Sequence, residues 1–463
     1  MTNRAKFLSG SLFRHITVMA LTSSVGLMAV FVVDLVDMLF IAMLGKAELA
    51  AAVGYAGAIL FFTSSFGIGM AIATGALVAR ALGSGDDDLA RRRATTSLLY
   101  GVAFGSLFAL AVWLSLAPLT ALLGATGETQ DLAIGFLQIV IPSLPMMLVG
   151  MVGGAILRAH GAARTAMMAT ITGGVVNAVL DPILIFGLDL ELTGAAIASF
   201  AARVAIGVAA LIPILRHYGG LTRPTRDDLR ADLAPILTLA LPAILTQLAT
   251  PIGQAYVTRA MAEFGEDAVA GMAVVARLIP VSFGVIFALS GAIGPIIGQN
   301  YGAERFDRVS RAYRDGLIFT AIVVVAISTI LFLLRGVIAD LFQLDGVARD
   351  LIFLFCGPLA LAWYFNGMLF VSNAAFNNLG RPLYSTGLNW GRHTAGTIPF
   401  VILFAAWLGA PGVLIGQALG GVLFGLLSAA LALRVIARHD APGEPAPPFT
   451  RQARLLQMFH NRR

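Results

Sequence analysis

The chain has 463 residues, 58% of them apolar and 12% charged, with a formal net charge of +6 and a mean hydropathy of +0.86. A soluble domain is nearer about one quarter charged, so the composition excludes an ordinary soluble enzyme or nucleic-acid binder; the basic balance reads as the Lys and Arg excess of membrane-protein loops. A single cysteine, Cys356, excludes an internal disulfide framework and a thiolate metal site, and His15, His160, His217, His393, His439 and His460 show no metal-ligand spacing.

The apolar region from Ile16 to Leu44 runs well past the core of a signal peptide and reads as a spanning segment. Crossing the hydrocarbon takes about 20 mainly apolar residues as a helix. Twelve windows qualify: 16–44, 50–80, 94–121, 133–157, 165–188, 193–215, 233–260, 267–298, 314–338, 350–377, 383–408 and 411–437. With the N-terminus in the cytoplasm, the inner loops hold 24 Lys and Arg residues, and the outer loops hold only Lys46, Arg259, Arg335 and Arg349. That asymmetry predicts a multi-pass protein of the cytoplasmic (inner) membrane with both termini inside.

The chain also repeats itself. LGKAELAAA at 44–52 resembles FGEDAVAGM at 264–272, and Gly83 and Gly161 match Gly302 and Gly380 at an offset of 219. GAAIAS from Gly194 matches GVLIGQ from Gly412. The predicted architecture is all-α, with 12 transmembrane helices in two six-helix lobes. An even helix count relates the copies by a pseudo-twofold axis along the membrane normal. The expected domains are 1–216, a first lobe; 217–232, a cytoplasmic linker; 233–437, a second lobe; and 438–463, a cytoplasmic tail.

Two carboxylates stand inside the first span, in VFVVDLVDMLF. Asp34 and Asp37, three residues apart, lie on one helix face and can share an ion, a proton or a partner. Ionised aspartate at the bilayer centre costs about 2.5–3.5 kcal/mol on insertion scales. Either the pair serves a function facing protein or a water-filled cavity, or it sits near the helix end or pairs statically with an intramembrane arginine.

Asn177 and Asp181 share a face of the fifth span, and Pro182 frees a carbonyl one turn back. These oxygen donors suit a small cation or a hydrated proton; alternatively, Asp181-Pro182 marks the outer end of the helix. In the second copy Asp34 faces Gln254, Asp37 faces Val257, and Asp181 falls near Pro399 or Phe400. Carboxylates confined to one copy point to a task performed once per molecule. Arg203, Arg277 and Arg392 lie within predicted spans, as buried partners or snorkelling to an interface. Gln247, Gln254, Tyr256 and Asn366 are candidate lining residues of a substrate cavity. No HExxH, GxSxG or paired histidines mark an intramembrane enzyme.

The segments VDMLFIAMLG, VARALGSGD with GQNYGAERFD, RAHGAART, NAVLDPILIFG and GAAIAS, in this order, resemble the multidrug and toxic compound extrusion (MATE) transporters over residues 10–437. The resemblance implies a V-shaped cavity between two lobes and exchange of H⁺ or Na⁺ for organic cations or other amphipathic compounds. It implies a coupling site at Asp37, Asn177 and Asp181, a sixth-helix hydroxyl at Ser199, and no cofactor beyond the ion. Na⁺, where used, would lie at Asp37, Asn177 and Asp181. Asp34 stands where similar sequences often hold asparagine, and the first helix lacks the proline invoked for bending in some relatives. The expected protein is a monomer in the lipid bilayer with a small-molecule substrate. The alternative is a flippase or exporter of a lipid-linked or polar metabolite with the same two-lobe plan.

Overall fold

Helices make up nearly all of the described chain, residues 5–440, in the computed structural model, and no strand occurs among these residues. Hydrocarbon offers backbone groups no water, so long apolar runs must satisfy their hydrogen bonds internally. The first lobe comprises α1 (Leu12–Met43), α2 (Ala47–Gly83), α3 (Asp87–Leu114), α4 (Leu116–Leu122), α5 (Gly127–Val140), α6 (Leu144–Ala159), α7 (Ala163–Pro182) and α8 (Glu191–His217). The second comprises α9 (Arg226–Ala262), α10 (Glu266–Gly302), α11 (Phe306–Leu341), α12 (Gly346–Leu354), α13 (Ala360–Asn378), α14 (Pro382–Gly391), α15 (Ile398–Leu408) and α16 (Ala410–Asp440). The predicted tail, 438–463, lies almost wholly outside the described residues.

Eleven of the twelve expected spans are helices long and apolar enough to cross a membrane among the described residues. The window 383–408 departs from expectation, because α14 and α15 are separated by a π-helical turn, Arg392–Gly396. Pro399 supplies a reason: it has no N–H for the carbonyl one turn earlier. The fourth and tenth spans are also jointed, at Ile141–Ser143 and Phe355–Leu359, each with a proline at the joint.

Several helices begin earlier than hydropathy predicts, since polar first turns project beyond the hydrocarbon. The expected linker 217–232 shortens accordingly to residues 218–225. Thr225 and Asp228 form a reciprocal capping box that starts α9 at Arg226. Asp232, only 2% exposed, accepts two bonds from the Arg92 guanidinium at 3.2 Å and one from Thr96 Oγ1 at 3.0 Å. Removing one partner of a buried pair strands the other's charge. Arg92→Ala is therefore expected to cost roughly 3 kcal/mol of stability, read as a lower thermal-unfolding midpoint in detergent micelles.

The lobes are joined at the end where the described chain begins and ends and where most loop arginines lie, here the basic end. Phe7, Leu12, Ile16, Met19 and Ala20 pack into the apolar core of the second lobe, while Ile236, Leu239 and Ala240 of α9 pack into that of the first. Each lobe's first helix thus crosses to the other at the basic end. α2 and α10 cross there too, with Gly83 on the Gln299 backbone and Gly302 on the Arg80 backbone. Arg80 and Gln299, like Gly83 and Gly302, are 219 residues apart, so the crossing is symmetric about the pseudo-twofold. Phe7 N–H donates to Gln299 Oε1, Gln299 Nε2 to the Ala159 carbonyl, and Arg80 Nη2 to the Asn377 carbonyl. Among the described residues every hydrogen bond between the lobes lies toward this end.

Candidate functional site

The acidic cluster forms where α1 lies along α7. Both helices run outward from the basic end, and Gly174 lets them approach: a Cβ there would lie 3.2 Å from Val33. One turn further out, Asp37 and Asn177 face each other. Asn177 Nδ2 donates to Asp37 Oδ1 at 2.8 Å and to Asp181 Oδ2 at 2.6 Å. Asn177 is 3% and Asp181 1% exposed, whereas Asp37 is half-buried. Asp37 is therefore the reachable member and Asp181 the back wall. Asp181 Oδ1 is sealed from solvent and has no hydrogen-bond partner.

Like charges held by one amide repel unless a cation or proton lies between them. The helix continues past Pro182 as a π-helical turn, Ile183–Gly187, so Asp181 is enclosed in the lobe instead of ending a helix in solvent. Asn177 presents its N–H groups to both carboxylates, which leaves the amide acting as a clamp; the sequence expectation had offered its oxygen as a cation ligand. Asp34, one turn nearer the basic end, is exposed and interacts electrostatically with Asp37 and Arg203. Ser199 is half-buried on α8, and among the described residues no hydrogen bond ties it to the cluster.

The second-lobe candidates differ in their surroundings. Gln254 accepts from Gln417 Nε2 at 3.1 Å, and Asn366 Oδ1 accepts from Arg392 Nη1 at 2.6 Å. Tyr256 packs half-buried against the second-lobe core, so neither this ring nor the Asn366 amide is a free lining group. Gln247 is half-buried on α9. Nor do the intramembrane arginines all snorkel: Arg203 donates to Ser143 Oγ at 3.2 Å and Arg392 stays within its lobe. Arg277 is exposed on α10. Sequence reasoning passed over Gln417 and weighed His393 only as a metal ligand, although the polar Arg392-His393 step between Gly391 and Gly396 was a visible interruption of an apolar span.

The MatE family model matches residues 23–183 and again 242–403. Those matches begin 219 and end 220 residues apart, the spacing of the internal repeat. A Shewanella oneidensis protein named FAD transporter is 29% identical over 443 residues, covering 94% of this chain and 97% of that one. The multidrug export protein MepA of Staphylococcus aureus is 22% identical over 416 residues, covering 88% and 90%. The fold superposes on a Vibrio cholerae MATE transporter with a TM-score of 0.88 at 23% identity, covering 92% of this chain and 97% of that chain. An outward-facing multidrug resistance MATE family transporter gives a TM-score of 0.87 at 23% identity, covering 94% and 98%. With one family model accounting for both lobes, the acidic cluster lies inside a membrane transporter, and the chain belongs to the MatE family.

Proposed function

We propose that this transporter is a secondary antiporter of the cytoplasmic membrane, with both termini inside, which expels small amphipathic compounds in exchange for inward-moving H⁺ or Na⁺. The observation that carries the reading is the unpartnered, buried Asp181 Oδ1 behind a half-buried Asp37, both held by Asn177. Such a group is costly in a membrane, and a proton or a small cation would complete it. Arrival of the ion removes the repulsion between the carboxylates and lets α1 and α7 repack.

Exchange requires that ion and substrate favour different arrangements of the lobes, since a ligand with no preference shifts nothing. Closure at the basic end, with the cluster in the other half of α1, directs the site outward, as uptake of an external ion requires. Asp34 assists by drawing cations toward Asp37, and Ser199 offers a hydroxyl from α8. The names of the two relatives, FAD transporter and multidrug export protein, support bulky aromatic or amphipathic cargo. A lipid-linked precursor flippase would have less use for an acidic first lobe.

The test is efflux of ethidium from proteoliposomes under an imposed pH gradient or an imposed Na⁺ gradient. One of them should accelerate efflux, and the responsive gradient identifies the ion. Indifference to both would overturn the antiport reading.

A further inference from the structure

The two lobes share one plan but carry different polar groups at matching positions. Gln254 occupies the place of Asp34, Gln417 that of Ser199, and Arg392 lies 219 residues after Gly173, one turn before Asn177. Where the first lobe gathers carboxylates, the second gathers a guanidinium and amides. Resting on the antiport reading, we infer that the group of donors around Arg392 binds an anionic group, phosphate or carboxylate, of the exported compound.

The donors converge. Arg392 Nη1 donates to Asn366 at 2.6 Å, and Nη2 lies 3.1 Å from His393 Nε2. The His393 ring lies against Gly253, next to Gln254. Gly421, one turn beyond Gln417 on α16, would bring a Cβ to 3.4 Å from the Asn366 amide. The Gln254–Gln417 pair and the Arg392–Asn366 pair are therefore neighbours within about one helical turn.

No carboxylate answers this charge. Among the described residues no ion pair includes Arg392, and no Asp or Glu occurs between Asp350 and Asp440, the stretch that supplies Asn366, Arg392, His393 and Gln417. A guanidinium has five N–H donors. Two of the Arg392 nitrogens are engaged, Nη1 on Asn366 and Nη2 beside His393, and the residue is only partly buried.

Depth adds to the case. Arg392 is ten residues beyond Pro382, about 15 Å from the helix start and half-way through a ~30 Å hydrocarbon layer. The π-helical turn at Arg392–Gly396 starts on this residue, whose guanidinium is a planar fork suited to bidentate binding of phosphate or carboxylate.

Three fluorescent probes test the inference in proteoliposomes: riboflavin 5′-phosphate, riboflavin, which lacks the phosphate, and ethidium. Arg392→Gln should slow export of the phosphate at least about tenfold, since hydrogen bonds to charged groups are worth that much, and leave the other two within about twofold. Arg392→Lys should restore part of the loss. Gln254→Glu, which leaves Arg392 in place, should also slow the phosphate selectively. Equal slowing of all three probes, or a wild type that exports ethidium but never riboflavin 5′-phosphate, overturns the inference. Repeating the assay with phosphatidylglycerol in the vesicles separates substrate from lipid phosphate. If this lipid erases the difference between wild type and Arg392→Gln, the guanidinium serves a headgroup and the inference also fails. Asp37→Asn separates the two readings: continued, Arg392-dependent export of the phosphate would sink antiport through the acidic cluster and leave the anion site standing.

Discussion

Asp37→Asn and Asp181→Asn should each reduce ion-driven efflux to the rate of protein-free vesicles, while the thermal-unfolding midpoint stays at or above wild type. An amide can still accept the hydrogen bond from Asn177, so the α1–α7 contact survives. What it cannot do is take up a proton or present a negative charge to Na⁺. Removing an ionised carboxylate from the membrane recovers part of a cost of about 2.5–3.5 kcal/mol. Lost function with retained or improved stability is the signature of a residue kept for its chemistry. A merely structural role would show the reverse, with efflux intact and unfolding earlier. Asp34→Asn should have a smaller effect, because Asp34 is exposed and lies outside the Asn177 clamp. Efflux by either buried-cluster variant that still responded to the gradient would remove the basis of the antiport reading.

The second large effect is expected at the crossing of α2 and α10. Gly302→Val places a Cβ into the carbonyl of Arg80, and Gly83→Val does the same to Gln299. Backbone cannot swing aside as a side chain can, and overpacking of this kind typically costs about 1–3 kcal/mol. The cost falls only on the arrangement in which the basic ends meet, so the substitution should drive the lobes apart there and abolish export. Ala79 provides the readout: it is 0% exposed, and its Cβ would be 2.9 Å from a Cβ on Gly298. In a Cys356→Ser background, a cysteine at Ala79 should react slowly with a maleimide, and Gly302→Val should raise that rate at least about tenfold, as for a two-state element shifted by a few kcal/mol. Unchanged labelling with normal export would show that the glycine crossing does not govern closure.

Much of the architecture was legible because membrane spans are selected by a one-dimensional quantity, the apolar length needed to cross hydrocarbon. The two copies were equally visible, since related helices retain glycines where backbones must touch, as at Gly83 and Gly302. Asp37, Asn177 and Asp181 stood out because carboxylates in apolar runs are expensive, and their helical spacing put each pair on one face. Span 383–408 was misjudged as continuous because hydropathy averages over Arg392 and is blind to a π-helical turn. Polar helix starts such as Asp87 and Arg226 were placed in loops for the same reason.

What the sequence alone determined was the medium, the count of spans, the duplication and the acidic residues of one copy, all of which depend on composition and local spacing. Tertiary structure decided the rest: that Asn177 bridges Asp37 to Asp181, that α1 and α9 lend their first turns to opposite lobes, and that Arg392 meets amides instead of a carboxylate. Those facts depend on which faces of distant helices meet. Residues 140 apart, as Asp37 and Asn177 are, carry no local signal of their contact, because side-chain partners across a helix interface are chosen by packing of whole helices and not by neighbours in the chain.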